Sequence, residues 1–219
     1  MYDVLYRRGL TPWVAAGHAQ SALIERLLAR EESWHGAAAG RTLVDLGCGT
    51  GEHSLAAATR GWTVVGIDAS AVAIDRARRA AAASGLDVRF VAGDVRRLTD
   101  VPGLRPGVSV FVDVGCYHGR PPADRRLVAD GVARLAASRA SLLVVGMDRR
   151  PGLVGVGVTA DGLAADFPGW RVEPGQTFEL GGRGLLRRVR FRVFRLVKGD
   201  PSGGGASDAG GPRPTISRP

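Results

Sequence analysis

Lysine is almost missing from this chain: of its 30 basic residues only Lys198 is a lysine, and the rest are arginine. The formal net charge of +9 would by itself raise nucleic acid as a partner, because a clustered basic surface is what a phosphate backbone binds. Near-pure arginine usage in an Ala- and Gly-rich chain reads instead as a compositional habit, and the charge carries little functional weight. Cysteine is equally scarce. Cys48 and Cys116 are too few for a disulfide framework, and neither their spacing nor any nearby histidine forms a zinc motif, so no metal is expected. Long apolar runs are lacking too, since none approaches the roughly 18 residues that a membrane helix needs. The N-terminal MYDVLYRRGLTPW has no basic segment followed by an apolar one and a cleavage site. It is not a secretory signal, and cytoplasmic residence without membrane contact is the default expectation.

What is present is a chain of 219 residues, 45% apolar, long enough for one full-sized domain and too short for two large ones. Short apolar segments stopped by glycine or aspartate recur at 41–47, 62–68, 87–94, 108–115 and 141–147, and suit strands buried on both faces of a parallel sheet. Helical stretches alternate with them at 52–60, at 70–84 with Ser70 as N-cap, and at 121–138 behind Pro121 and Pro122. Strand–helix alternation predicts βαβ units. An amphipathic helix is expected over 19–30. Segments 171–180 and 185–197 read as an antiparallel hairpin through a glycine turn at 181–184. In its second strand Arg188, Arg190 and Arg192 alternate with Val189, Phe191 and Val193, giving one basic and one apolar face. Residues 199–219 have almost nothing to bury and are expected to be a disordered tail, which leaves 1–198 as the domain and 1–40 as its N-terminal lid and helix.

The chemistry concentrates at LVDLGCGTG, residues 43–51. A strand, a glycine turn and a helix form the nucleotide site of an α/β sheet, because backbone approaches a ligand closely where no Cβ intervenes. A dinucleotide turn is spaced G-x-G-x-x-G. Here Gly47, Gly49 and Gly51 are spaced G-x-G-x-G and followed by Glu52, an acid that would oppose a pyrophosphate but not a cationic ligand. A nicotinamide-dependent oxidoreductase is disfavoured on that ground.

VDLGCGTG resembles motif I of the class I S-adenosylmethionine-dependent methyltransferases, and GIDAS and AGDV follow at consecutive strand ends in that family's order. The resemblance implies a three-layer Rossmann-like α/β fold, with a mostly parallel seven-stranded sheet and a C-terminal antiparallel hairpin, and S-adenosyl-L-methionine as cofactor. It makes Asp68, beside Ala69, the ribose-binding acid and Asp94 the acceptor for the adenine amino group, with Val95 giving a backbone contact. Asp45 would face the methionine ammonium, and Gly47, Cys48, Gly49, Thr50 and Gly51 would form the cofactor turn. The opening YDVLYRRGLTPW is similar to the Y-x-x-G-x-x-P-W segment of the small-molecule group that includes thiopurine, tellurite-resistance and heterocycle or quinone-toxin methyltransferases. In that group the segment lids the cofactor, which places Trp13 over it. DVGCYHGRPP is similar to the same group's D-R-G-C-x-H-x-L-P. Val14 and Val114 depart from the pattern, which bears on the substrate and not on the cofactor.

The end of the fourth strand should face the transferred methyl group. There His118 is the candidate general base or a loop histidine lining the pocket, Tyr117 a residue that stacks on or orients a flat substrate or else packs in the core, and Asp113 a further catalytic or cofactor-side residue, or a structural acceptor for its loop. Cys116 is expected near Cys48, both as thiols. His53 reads as a helix-surface residue. The predicted function is methyl transfer to S, O or N of a small apolar or aromatic molecule by a monomer or homodimer. The alternative is an RNA methyltransferase using the basic hairpin, against which stands the lack of an N/D-P-P-Y/F segment at the fourth strand.

Overall fold

The computed structural model describes residues 2–8, 21–148, 157–181 and 188–199. Its elements are α1 (Tyr2–Arg7), α2 (Ser21–His35), β1 (Thr42–Leu46), α3 (Glu52–Thr59), β2 (Thr63–Asp68), α4 (Ala71–Ser84), β3 (Val88–Ala92), a 3-10 turn at Val95–Asp100, β4 (Val108–Val114), α5 (Pro122–Leu135), β5 (Ala136–Met147), α6 (Ala160–Asp166), β6 (Trp170–Gly181) and β7 (Arg188–Lys198). Trp13 and Val14, the glycines at 182–184 of the expected hairpin turn and the tail from residue 200 lie outside the described residues.

The strands form a seven-stranded sheet in the order β3-β2-β1-β4-β5-β7-β6. Strands β1 to β5 pair in parallel, and β7 enters antiparallel between β5 and β6. This is the expected architecture. Its strands are apolar on both faces because helices cover both. Along β1, Leu43 packs with Leu23, Ile24, Leu28 and Ala57 on the side of α2 and α3. Val44 and Leu46 pack with Leu98, Val132 and Phe167 on the side of α5, α6 and the 3-10 turn.

The structure departs from the sequence expectation in two elements. Residues 136–138, read as the end of a helix, are strand, since α5 stops at Leu135 and Ala136 already pairs with Val108. The two-faced reading of β7 holds only for its first half. Beyond Val193 the pattern inverts: Phe194 and Leu196 enter the core on the arginine side, while Arg195 is buried on the other. There a carboxylate cluster on the facing elements makes a buried cation acceptable.

Candidate functional site

The strand order reverses between β1 and β4, and a ligand crevice forms beyond the carboxyl ends of strands at such a point. The glycine turn after β1 occupies it. Gly47, Gly49 and Gly51 all have positive φ, at 74°, 54° and 87°, and two of them are also held by contact. A Cβ on Gly47 would come within 2.6 Å of Cys116 Cβ, and one on Gly51 within 2.6 Å of the Phe90 ring. The turn is thereby pressed against the loop after β4 on one side and against β3 on the other. Thr50 is half-buried, and Cys48 is buried against Ile74, Ala77 and Phe90. Cys116 is half-buried with its thiol pushed up to about 12 by burial, and burial likewise raises Cys48, so both remain protonated.

Three carboxylates sit at successive strand ends around this turn. Asp45 is buried on β1, where its Oδ2 accepts a 2.6 Å hydrogen bond from Ser54 on α3, and burial raises its pKa. Asp68 accepts the Gly49 N–H at 3.0 Å on one oxygen and the Ser70 N–H at 2.8 Å on the other. Each of its oxygens keeps a lone pair directed elsewhere. Burial raises its pKa as well. Ala69 beside it is exposed. Asp94 caps the 3-10 turn through the Arg96 N–H and is gripped by the Arg96 guanidinium, which holds its carboxyl below the usual range. Val95 follows with its side chain in the core.

The N-terminal helix closes over the turn. Asp3 accepts from the Ser70 hydroxyl at 2.5 Å, Arg76 donates to the Tyr6 carbonyl at 2.8 Å, and the Tyr6 hydroxyl lies 2.9 Å from where a Gly49 Cβ would be. The glycine at that position is what lets the phenol approach.

At the end of β4 the expected residues separate. Asp113 is buried, its Oδ1 accepts the N–H groups of Cys116 and Tyr117, and burial pushes it up to about 7. It shapes the loop. Tyr117 faces the core, not a substrate: it is 2% exposed, its ring packs on Phe167, and its hydroxyl donates to Asp166. These contacts are those of the packing role, the second of the two expected for Tyr117. His118 is half-buried with Nδ1 lacking a partner, and its ring meets Phe191 edge-on at 6.3 Å. Phe191 is itself stacked on Phe178 at 5.7 Å. Burial first and the Arg125 charge second lower the imidazole to about 4. His53, read as a helix-surface residue, is half-buried, and its buried Nδ1 has no hydrogen-bond partner among the described residues. Arg190 and Arg192 share Asp148, at 3.1 and 3.5 Å.

Residues 43–139 match a family described as a methyltransferase domain. The matched stretch contains the glycine turn and the three strand-end carboxylates. Over those residues the chain is similar to methyltransferases. A 2-heptyl-1-hydroxyquinolin-4(1H)-one methyltransferase of Mycobacteroides abscessus is 30% identical over 139 residues, 63% of this chain and 56% of that relative, so the match spans little more than half the relative's length. A structure described for the conversion of a disulfide bond into a thioacetal group during echinomycin biosynthesis has 26% identity and a TM-score of 0.59, covering 76% of this chain and 78% of its own. The 1,6-didemethyltoxoflavin-N1-methyltransferase of Burkholderia thailandensis, with bound 1,6-didemethyltoxoflavin and S-adenosylhomocysteine, superposes at a TM-score of 0.65. It has 17% identity and covers 91% of this chain and 86% of its own, so it speaks for the fold.

Sequence reasoning missed Ser54, Arg96, Arg125 and Phe191 as parts of the site. Ser54 and Arg96 each follow an expected site residue by a few positions, but a partner of that kind has no motif of its own. Among the described residues no helix is long and apolar enough to cross a membrane.

Proposed function

We propose that this methyltransferase moves the methyl group of S-adenosylmethionine to an oxygen, nitrogen or sulfur atom of a small, flat, apolar or aromatic molecule. The observation that carries the reading is the ring of Asp45, Asp68 and Asp94 around a glycine turn at the reversal of strand order. The residues fit the cofactor. Asp68 would take the ribose hydroxyls on its remaining lone pairs, Asp94 the adenine amino group, and Asp45 would present negative potential to the methionine ammonium. Gly47, Gly49 and Gly51 leave room for close approach of the backbone, and the segment carrying Tyr6 and Trp13 would cover the bound molecule.

When bound, S-adenosylmethionine supplies a methyl group on a sulfonium, an excellent leaving group. The protein therefore has to align the acceptor, exclude water and remove one proton. His118, beside the Phe191–Phe178 stack, is the proposed base. A neutral imidazole with a pKa of about 4 is a weak base toward a resting phenol. It is adequate once the methyl–oxygen or methyl–nitrogen bond forms, because the acceptor then carries positive charge and its proton becomes strongly acidic. With the methyl group delivered to the acceptor and the cofactor leaving as its neutral thioether, His118 would take up the proton that the acceptor sheds. Flat heterocycles in the names of two similar proteins support the acceptor class. The pairing of Arg190 and Arg192 with Asp148 speaks against a phosphate-binding face and for a small acceptor over RNA. We propose 1–198 as the working unit.

The test is transfer of label from methyl-labelled S-adenosylmethionine to a panel of thiols, phenols and N-heterocycles. At least one aromatic acceptor should be labelled, and His118→Gln should lower kcat by about 100-fold. Transfer to RNA with none to the panel would overturn the acceptor class.

A further inference from the structure

His118 is held by its main chain and not by its ring. Its carbonyl oxygen accepts from Arg125 Nη2 at 2.8 Å and from the Gly157 N–H at 3.1 Å, and the same Arg125 nitrogen donates to the Gly157 carbonyl at 3.0 Å. Arg125 stands on the first turn of α5, with its guanidinium carbon 5.4 Å over the ring of Tyr117. One side chain thus ties three pieces of chain together: α5, the loop after β4 and the segment entering α6. Among the described residues no hydrogen bond reaches the imidazole itself: Nδ1 is buried without a partner, and Phe191 and the Gly146 backbone bound the ring and its Cβ.

We propose that Arg125 is a positioning residue, which fixes the direction of the His118 imidazole by locking the backbone of its loop to the segment after β5. The inference rests on His118 as the base proposed above. Arg125 also places a positive charge on the buried side of the loop, which keeps the imidazole neutral and able to accept a proton. Several charged groups on the elements around His118 are engaged elsewhere. Asp148 at the end of β5 is paired with Arg190 and Arg192 of β7, Asp166 of α6 accepts from Tyr117, Asp113 of β4 accepts two backbone N–H groups, and Arg120 donates to the Cys116 sulfur at 3.3 Å.

The experiment is a pH titration of the histidine ring C–H resonances of the full chain by NMR, with His118→Gln to assign the signal, in wild type, Arg125→Lys and Arg125→Met. The wild-type His118 signal should be sharp and unmoved between pH 8 and pH 6. In Arg125→Met its midpoint should rise by about one pH unit, with a broadened or doubled line as the ring samples further orientations. Arg125→Lys keeps the charge and loses the two-carbonyl bridge, so its line should broaden with less change in midpoint. A His118 signal with wild-type midpoint and width in Arg125→Lys would overturn the proposal, and that variant decides if Arg125→Met does not fold. A failed methyltransferase reading would appear separately, as absence of S-adenosylmethionine binding by the wild type, with the titration still deciding the role of Arg125.

Discussion

Gly47 shows how closely individual residues are determined here. Its φ of 74° and the 2.6 Å approach to Cys116 Cβ act together, so Gly47→Ala should cost about 2 kcal/mol or more, from left-handed strain plus a clash in a packed interior. Urea unfolding of the variant measures this, and a loss below about 0.5 kcal/mol would contradict it. Asp113 gives a prediction with a definite sign. Its folded-state pKa, pushed up to about 7, lies above the ordinary 3.8, so its stabilising contribution is present at low pH and is lost as pH rises through 7. Asp113→Asn keeps an oxygen for the Cys116 and Tyr117 N–H groups without that loss. Its stability relative to wild type should therefore improve between pH 5 and pH 8, as measured by thermal unfolding at each pH. The glycines were legible in the sequence because left-handed backbone restricts residue type, whereas Asp68 and Asp94 were singled out by the motif resemblance alone. The direction of Tyr117 was not, because it depends on a turn closed by two hydrogen bonds to Asp113.

Helix α2 is tied to the sheet by charge as well as by its apolar stripe. Glu31, fully buried, accepts from Arg195 Nε at 2.6 Å and from Ser141 Oγ at 2.6 Å, and Arg195 also reaches Glu173 at 3.3 Å. Trp34 lies against both Arg139 and Arg195, at 4.4 and 4.5 Å. Removing one member strands the other, so Arg195→Met should destabilise by about 3–5 kcal/mol, and the double variant with Glu31→Gln should recover part of that loss. His35 in the same cluster is lowered to about 4, mainly by burial, from 6.5. The unfolded chain then binds a proton before the folded one, so this contribution is complete above pH 6.5 and is lost as pH falls toward 4. His35→Gln should flatten the fall in stability over that window. None of this could be read from alternation in β7, where Arg195 interrupts an apolar run. Helix α6 was equally hidden, since seven residues with two aspartates carry too little periodicity.

At the scale of the whole molecule, the parallel strands were legible because apolar segments punctuated by glycine and aspartate alternate with helices, while their order came only with the structure. The last ladder residue, Lys198, pairs with both Ala140 and Trp170, so a chain ending at residue 198 should melt at the temperature of the full chain. The account's central claim is that the Asp45, Asp68 and Asp94 ring around the glycine turn receives S-adenosylmethionine, and calorimetric titration of that cofactor into wild type and Asp68→Ala tests it most directly. The account predicts saturable heat with wild type and an affinity lowered at least tenfold, about 1.4 kcal/mol, in an Asp68→Ala protein that remains folded. Equal binding by both proteins, or none by the wild type, would contradict it.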